Sequence, residues 1–220
     1  MTERGTRNEE VAGTVTKSTV HCYVFDTLAD WEYGFAVAGI NNTQFHRVPN
    51  EWQVRTVATG RSPIVTSGGV RIVPDMTLDE LSPADSRMLI LPGGDTWDEG
   101  GNTEVVEKAR AFLASGVPVA AICGATAGLA RGGLLDERRH TSNAREYIAA
   151  TGYRGGALYE DEPAVTHGDL ITAASMAPLE FAYHIYRRLD LYDPDVLEAW
   201  YGLFSTRKPE YFAELIRLVS

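Results

Sequence analysis

Cysteine is scarce in this sequence. Only Cys22 and Cys123 occur among 220 residues. A single disulfide would not be enough to stabilise an extracellular fold of this size, so we expect a reducing, cytoplasmic location. Long hydrophobic runs are missing too, since no stretch approaches the roughly 20 apolar residues that cross a bilayer, and we expect no membrane partner. The opening residues, MTERGTRNEE, do not resemble a signal peptide, and residues 1–18 are interpreted as a flexible tail.

Positive charge is also in deficit. The chain has 20 Lys and Arg residues against 30 Asp and Glu residues, which gives a formal net charge of -10. An acidic surface repels phosphate backbones, so nucleic acid is not an expected partner. Neither HExxH nor CxxC occurs, and the histidines are widely spaced. The sequence therefore predicts neither a metal site nor a bound cofactor.

Short apolar runs alternate with amphipathic stretches along the chain, which predicts an α/β domain with a mostly parallel sheet covered by helices on both faces. With 44% hydrophobic residues, the chain suits a single core over residues 19–190 and a helical extension over 191–220. The predicted strands cover residues 19–25, 53–58, 87–94, 117–123, 156–159, 164–167 and 170–174, with a hairpin at 64–75. The predicted helices cover residues 30–40, 103–115, 125–135, 144–152, 178–189, 193–204 and 209–219.

Cys123 carries the strongest chemical signal. It ends the most hydrophobic predicted strand, VPVAAIC, at the edge where open α/β sheets place their ligand sites. Ala121 and Ala125 lie two residues before and after it. Such small side chains suit a nucleophile elbow, a sharp turn from strand to helix, in which the nucleophile is Cys instead of Ser. The following helix start would lower the pKa of the thiol. The alternative is a small buried core cysteine, the role we expect for Cys22.

Two further features flank this position. Gly93 and Gly94 end the neighbouring strand, where glycine permits close approach of the backbone to a substrate, and the N–H groups of Gly94 and Gly124 would form an oxyanion hole. A polar loop follows, and we expect it to overhang the cysteine. Trp97 in this loop is either a wall of the pocket or part of the loop packing. The acidic residues of the loop are Asp95, Asp98 and Glu99.

Four blocks of the sequence, FDTLADWE, LILPGGDTW, AAICGATAGLARGGLL and RRHTSN, resemble the ThiJ/PfpI family of the class I glutamine amidotransferase-like superfamily. The likeness extends from about residue 19 to about residue 189. It implies a flavodoxin-like, doubly wound sheet, an elbow cysteine and, as in many members, a homodimer. Members include amidases or peptidases, hydratases and glyoxalase-like or deglycase enzymes that act on reactive carbonyls, and others are oxidation sensors or chaperones.

The resemblance also assigns partners to the cysteine. It places the acidic partner at Glu32, in LADWE. Many relatives have a histidine directly after the cysteine, where this chain has Gly124, and others have one on the next strand, where it has Asn143. The general base is then His140, displaced by three residues, or His167 late in the chain, or it is absent.

Two functional hypotheses follow. The first is a cysteine-dependent enzyme acting on a small carbonyl, amide or related substrate, as a hydrolase, amidase or glyoxalase-like lyase. The second is a redox sensor or holdase chaperone in which Cys123 is oxidised reversibly. A synthase-associated glutaminase fits less well, because no His-x-Glu pair occurs late in the chain. Lack of an imidazole base would impair activation of water and so weaken the hydrolase hypothesis.

Overall fold

The computed structural model describes residues 17–220, so the predicted tail lies almost wholly outside the described residues. The strands are β1 (Ser18–Tyr23), β2 (Trp52–Ala58), β3 (Ile64–Val65), β4 (Arg71–Ile72), β5 (Met76–Thr77), β6 (Met88–Leu91), β7 (Val119–Ile122), β8 (Ala164–His167) and β9 (Leu170–Ala173). The helices are α1 (Asp30–Asn41), α2 (Asp95–Asp98), α3 (Thr103–Ala114), α4 (Gly124–Arg131), α5 (Arg145–Ala149), α6 (Pro178–Leu189), α7 (Pro194–Thr206) and α8 (Pro209–Val219).

The central sheet has the strand order β5-β2-β1-β6-β7-β9-β8. All neighbouring strands in it are parallel except β8, which pairs antiparallel with β9, while β3 and β4 form a separate hairpin. The residues of β6 and β7 are all buried, as expected for strands covered on both faces. The fold is therefore a flavodoxin-like, doubly wound α/β sheet, which confirms the predicted fold class.

The strand order fixes where a site can form. From β1 the chain first extends the sheet on one side through β2, and it later returns to the other side of β1 with β6. This reversal opens a crevice at the carboxyl ends of β1 and β6, and in open α/β sheets ligands bind in such crevices. The loops that enter α1, α2 and α4 all meet at this edge.

Hydrophobic side chains fill both faces of the sheet. On one face, Leu89 and Leu91 of β6 pack with Phe112 of α3 and Leu129 of α4. On the other face lie α1, α6 and α7, where Trp200 is buried among residues of the second core cluster. Cys22 belongs to this second cluster and is buried in β1. Helices on both faces account for the continuous apolar character of the central strands.

The helices α7 and α8 continue this second core. The Trp200 ring packs edge-on against Phe35 and Tyr186, and Leu215 of α8 is fully buried. The Tyr211 ring lies so close to Gly202 that a Cβ atom there would be 2.4 Å from it. In the part of the chain from residue 17 onward, no helix has the length and apolar character needed to span a membrane.

Some local predictions are wrong. The segment 156–159, predicted as a strand, contains a 3-10 turn at Gly156–Leu158, because two adjacent glycines weaken extended pairing. The polar loop after Gly94 begins with α2, since the Trp97 side chain draws the segment into the core. The helix α3 begins at Thr103 as predicted, and its N-cap is Asn102 with φ 60°.

Candidate active site

Cys123 lies in a single-residue turn between β7 and α4. Its backbone has φ 58° and ψ -126°, a region that L-residues avoid at a cost of about 1–3 kcal/mol. Ala121 and Ala125 on either side are fully buried, so larger side chains would have no room there. The predicted sharp turn is therefore present, and it leaves the cysteine side chain partly exposed at the sheet edge.

Glu32 lies in the first turn of α1, directly after the loop that follows β1. In the sheet, β6 lies between β1 and the strand β7 that ends at Cys123. Only 1% of its surface is exposed. Oε2 accepts a 2.6 Å hydrogen bond from the Gly93 N–H, and the carboxyl lies beside the Cys123 thiol, since a Cβ atom at Gly93 would be 2.6 Å from Oε2 and 3.0 Å from Sγ. Oε1 is buried and has no nitrogen or oxygen partner among residues 17–220. The carboxyl is thus positioned to exchange a proton with the sulfur.

Burial controls the protonation of this pair. Desolvation raises the pKa of Glu32 to about 7, although its hydrogen bonds with Cys123 and Gly93 oppose the shift. Desolvation and then the negative charge of Glu32 raise the pKa of Cys123 to about 12, against the opposing hydrogen bonds from Asn143 and the Gly124 N–H. The Gly124 N–H at the helix start lowers the pKa of the thiol as expected, but desolvation and the charge of Glu32 outweigh it, so the net shift is upward. The thiol keeps its proton until Glu32 can accept it.

Asn143 is also brought to the sulfur. Its Nδ2 donates to Sγ at 3.4 Å, and its Oδ1 accepts a 2.9 Å hydrogen bond from the Ser175 N–H. This second bond fixes the amide orientation, so that the N–H group and not the oxygen faces the sulfur. An amide donor stabilises a thiolate but cannot accept its proton.

The Gly93 position permits the contact between Glu32 and Cys123. A Cβ atom there would lie 2.6 Å from both Cys123 Cβ and Glu32 Oε2. Gly94 is constrained differently, because its Cβ would lie 2.6 Å from the carbonyl oxygen of Thr27. Gly94 therefore accommodates the loop after β1, whereas the Gly124 N–H acts on the sulfur by lowering the pKa of the thiol.

Trp97 is part of the core. Its ring has no exposed surface, Nε1–H donates to the Pro92 carbonyl oxygen at 2.9 Å, and the ring packs edge-on against Phe25. Of the two alternatives left open by the sequence, loop packing describes it and a pocket wall does not. The neighbouring Asp98 accepts a 2.6 Å hydrogen bond from the Tyr147 hydroxyl.

Tyr147 is a residue near the site that sequence reasoning missed. Its hydroxyl donates to Asp98, next to Trp97 in the segment after β6, and burial, the interaction with Asp98 and the charge of Cys123 all raise its pKa. It lies on α5, a short helix with no motif to mark it. Only its position four residues after Asn143 connects it to the site in the sequence.

Neither candidate histidine forms part of the site. His140 is fully buried, and its Nδ1 and Nε2 are hydrogen-bonded to the Arg138 carbonyl oxygen at 2.7 Å and the Tyr153 hydroxyl at 2.8 Å. His167 Nδ1 accepts from the Arg139 N–H at 3.1 Å. Among the described residues, no imidazole is hydrogen-bonded to the sulfur or to Glu32. We therefore leave His140 out of the site, since both its nitrogens are already occupied.

The fold and this cysteine–carboxyl pair define a doubly wound α/β protein with a strained cysteine at the end of a central strand. The sequence model described as the DJ-1/PfpI family matches residues 18–188. The chain belongs to the DJ-1/PfpI family, which confirms the resemblance found in the sequence.

Several relatives are similar over much of their length. The chain is 43% identical over 204 residues to "Uncharacterized protease YoaZ" of Bacillus subtilis, covering 91% of this chain and 97% of that protein. It is 33% identical over 100 residues to "Deglycase PfpI" of Pyrococcus furiosus, covering 44% of this chain and 60% of that one. The crystal structure of a thiJ/pfpI family protein from Bacillus anthracis matches with a TM-score of 0.87 at 42% identity, covering 92% and 97% of the two chains.

Proposed function

We propose that this protein is a cysteine-dependent enzyme that acts on a small reactive carbonyl compound, with a 2-oxoaldehyde as the substrate class. One observation carries the proposal. The Glu32 carboxyl lies beside the Cys123 thiol, because a Cβ atom at Gly93 would be 2.6 Å from Oε2 and 3.0 Å from Sγ, and burial raises the pKa of this carboxyl to about 7. A carboxyl with that pKa both accepts and returns a proton near neutral pH. The deglycase name of the Pyrococcus furiosus relative supports the same class of substrate.

The first step is addition of the thiol to the aldehyde. A sulfur electron pair forms a C–S bond with the aldehyde carbon, and the π electrons of the C=O bond move to oxygen. The thiol proton passes to the Glu32 carboxylate and from there to the new alkoxide oxygen, so the product is a neutral hemithioacetal. The N–H groups of Gly94 and Gly124 are the proposed donors to that oxygen.

The second step uses the same carboxyl. Glu32 removes the proton from C1 of the hemithioacetal, and protonation of the resulting enediol at C2 gives the thioester of a 2-hydroxy acid. Glu32 then takes a proton from the attacking water, the C–S bond breaks as the carboxylic acid forms, and the same proton returns to the sulfur. The net reaction adds water to the 2-oxoaldehyde, with C1 oxidised and C2 reduced, so no external oxidant or reductant is needed.

Amide hydrolysis fits the site less well. Expulsion of an amine requires a proton donor to the leaving nitrogen, and cysteine hydrolases commonly use an imidazole for this. His140 and His167 are bonded elsewhere, whereas a thioester expels a thiolate and needs no such donor. The protease name of the Bacillus subtilis relative makes amides and peptides the necessary second arm of the test.

The test is turnover of methylglyoxal, followed as formation of lactate. We expect Cys123→Ser and Glu32→Gln each to lower kcat/KM by at least about 100-fold, because they remove the nucleophile and the proton acceptor. Cys22→Ala is the matched control, since this second cysteine is buried in the core away from the site, and its kcat/KM should stay close to that of the wild type.

Three results would overturn the proposal. Methylglyoxal turnover that survives in Cys123→Ser would exclude the cysteine mechanism. Cys123-dependent cleavage of simple amides or peptides without methylglyoxal turnover would establish an amidase instead. No turnover of either class, with stepwise addition of oxygen mass to Cys123 in dilute peroxide, would establish the redox sensor.

A further inference from the structure

A second cavity lies away from the cysteine, on the part of the sheet where β1 and β2 begin. It has a volume of about 590 Å³. Thr19 and His21 of β1 line it together with Gln53 and Arg55 of β2, and the two pairs are register partners, so their side chains share one face of the sheet. Cys123 follows the carboxyl end of β7, so the two sites open at different edges.

Three basic side chains line this cavity. Lys17, Arg55 and Arg87 all line it, and none forms a salt bridge with a carboxylate in the described part of the chain. Of the two carboxylates in the lining, Glu80 is bound by Arg61 and by the Thr77 N–H, which leaves Asp85. The lining contributed by residues 17–220 is thus net positive in a chain of net charge -10, which favours an anionic ligand.

His21 adds a hydrogen-bond acceptor of known orientation. Its Nδ1 lies 2.8 Å from Ser86 Oγ, and Ser86 Oγ donates its single hydrogen to the Met88 carbonyl oxygen at 3.0 Å. Nδ1 must therefore carry the proton that joins it to Ser86, and Nε2 carries a lone pair. Burial and the charge of Arg55 lower the pKa of His21 to about 4, so the ring is neutral at pH 7.

His21 lines the cavity, and its only side-chain hydrogen bond within residues 17–220 is the one that Nδ1 makes with Ser86, so Nε2 is available as an acceptor. A bare anion offers no hydrogen to a lone pair, whereas a hydroxyl group does. The cavity therefore provides guanidinium groups suited to a phosphate or carboxylate and one acceptor suited to a neighbouring hydroxyl group.

We propose that this cavity binds a small hydroxylated anion, a phosphorylated or carboxylated polyol, with the anionic group held by Arg55, Arg87 and Lys17 and a hydroxyl group donating to Nε2 of His21. The site is independent of the cysteine chemistry, because none of its residues contributes to the Cys123 turn. Its ligand is an effector or a second substrate of the protein, and the anionic group sets the affinity.

The test is calorimetric titration of the full chain with glucose 6-phosphate and with gluconate, which separate a phosphate head from a carboxylate head. Inorganic phosphate tests the anionic group alone, and glucose tests the hydroxylated part alone. We expect one of the two hydroxylated anions to bind at least tenfold more tightly than inorganic phosphate and glucose to show no binding. Cys123→Ser should bind as the wild type does.

Substitutions then locate the site. Arg55→Gln and Arg87→Gln should each weaken binding at least tenfold, and Arg55→Lys should fall between Arg55→Gln and the wild type, because it keeps the charge but loses the planar fork. Arg71→Gln is the matched control, since Arg71 is also exposed and forms no salt bridge with any residue from 17 onward, but lies on β4 outside the cavity. Its affinity should not change.

A ¹⁵N spectrum of the imidazole gives the final readout. The ligand should shift Nε2 of His21 and leave the protonated Nδ1 nearly unchanged. The proposal is overturned if neither hydroxylated anion binds below about 10 mM, if inorganic phosphate binds as tightly as they do, or if Arg71→Gln weakens binding as much as Arg55→Gln.

Discussion

Glu32 and Cys123 are neighbours whose chemistry is set by burial. A carboxyl with 1% exposure and one oxygen without a hydrogen-bond partner among residues 17–220 is expensive to ionise. Between pH 4.5 and 7 the folded state retains a proton on Glu32 that the unfolded chain has released. Stability therefore falls as the pH rises through this window, and the penalty is complete above pH 7.

Glu32→Gln should remove that penalty. The amide oxygen would keep the hydrogen bond from the Gly93 N–H, and the amide nitrogen would donate toward the sulfur. We expect the variant to be more stable than the wild type by about 1–3 kcal/mol at pH 8 and equal to it at pH 4. Urea unfolding at the two pH values measures this. Glu146→Gln, on the exposed surface of α5, should show no such difference.

The same pKa predicts the pH dependence of the reaction. The thiol can lose its proton to Glu32 only when the carboxyl is ionised, so kcat/KM for methylglyoxal should rise with pH and reach half its plateau near pH 7. The measurement is a pH–rate profile from pH 5 to 9. Activity that falls across pH 7 as the pH rises would mean that Glu32 acts first as an acid, contrary to the proposed first step.

Gly93 tests how closely the pair must approach. Gly93→Ala would place a methyl group 2.6 Å from Cys123 Cβ and Glu32 Oε2, so we expect methylglyoxal turnover to be lost and the unfolding free energy to fall by about 2 kcal/mol or more. The control is Gly34→Ala on the exposed side of α1, where no atom lies within 4 Å of the new methyl group. That change should raise stability by up to about 1 kcal/mol, because alanine favours the helix.

At the scale of elements, β7, the turn at Cys123 and α4 form one unit. The unit depends on small residues around the turn, and these made the turn predictable from the sequence. The position of Cys123 before a helix was not enough to predict the pKa of its thiol, however. The Gly124 N–H lowers this pKa, but desolvation and the charge of Glu32 raise it by more.

Backbone strain in this unit has a measurable consequence. At φ 58° and ψ -126° a glycine is unstrained, whereas any side chain is strained. Cys123→Gly should therefore be more stable than Cys123→Ala by about 1 kcal/mol, although glycine normally costs stability through its larger unfolded-state entropy. Thermal or urea unfolding of the two variants decides this. If Cys123→Ala is the more stable variant, the turn is relaxed and the strain argument fails.

At the scale of the whole molecule, the helices beyond residue 190 share a core with the sheet. Leu215 of α8 is fully buried, while Phe212 on the same helix is 54% exposed. Leu215→Ala should lower the unfolding free energy by about 2–5 kcal/mol in a single transition, and Phe212→Ala by much less. The measurement is denaturant unfolding followed by circular dichroism and by tryptophan fluorescence. A separate early transition for α8 would show that the extension is not part of the cooperative unit.

Much of the molecule followed from the sequence. Apolar runs of strand length fixed the central strands β1, β6, β7 and β9, and the resemblance assigned Glu32 correctly as a neighbour of Cys123. The homodimer stays a prediction. The elements that the sequence did not predict are segments whose conformation depends on residues distant in the chain. One of them is α2, which the buried Trp97 side chain holds in place.

The sequence by itself determined the sheet, its covering helices and the sharp turn at Cys123, because strand periodicity and small flanking residues act on near neighbours in the chain. Only the tertiary structure decided that Asn143 reaches the sulfur, that His140 is bonded to Tyr153, and that Nδ1 of His21 is bonded to Ser86 beside a second cavity. These facts depend on distances between segments far apart in sequence and on how completely water is excluded between them, and neither quantity is set by local residue order.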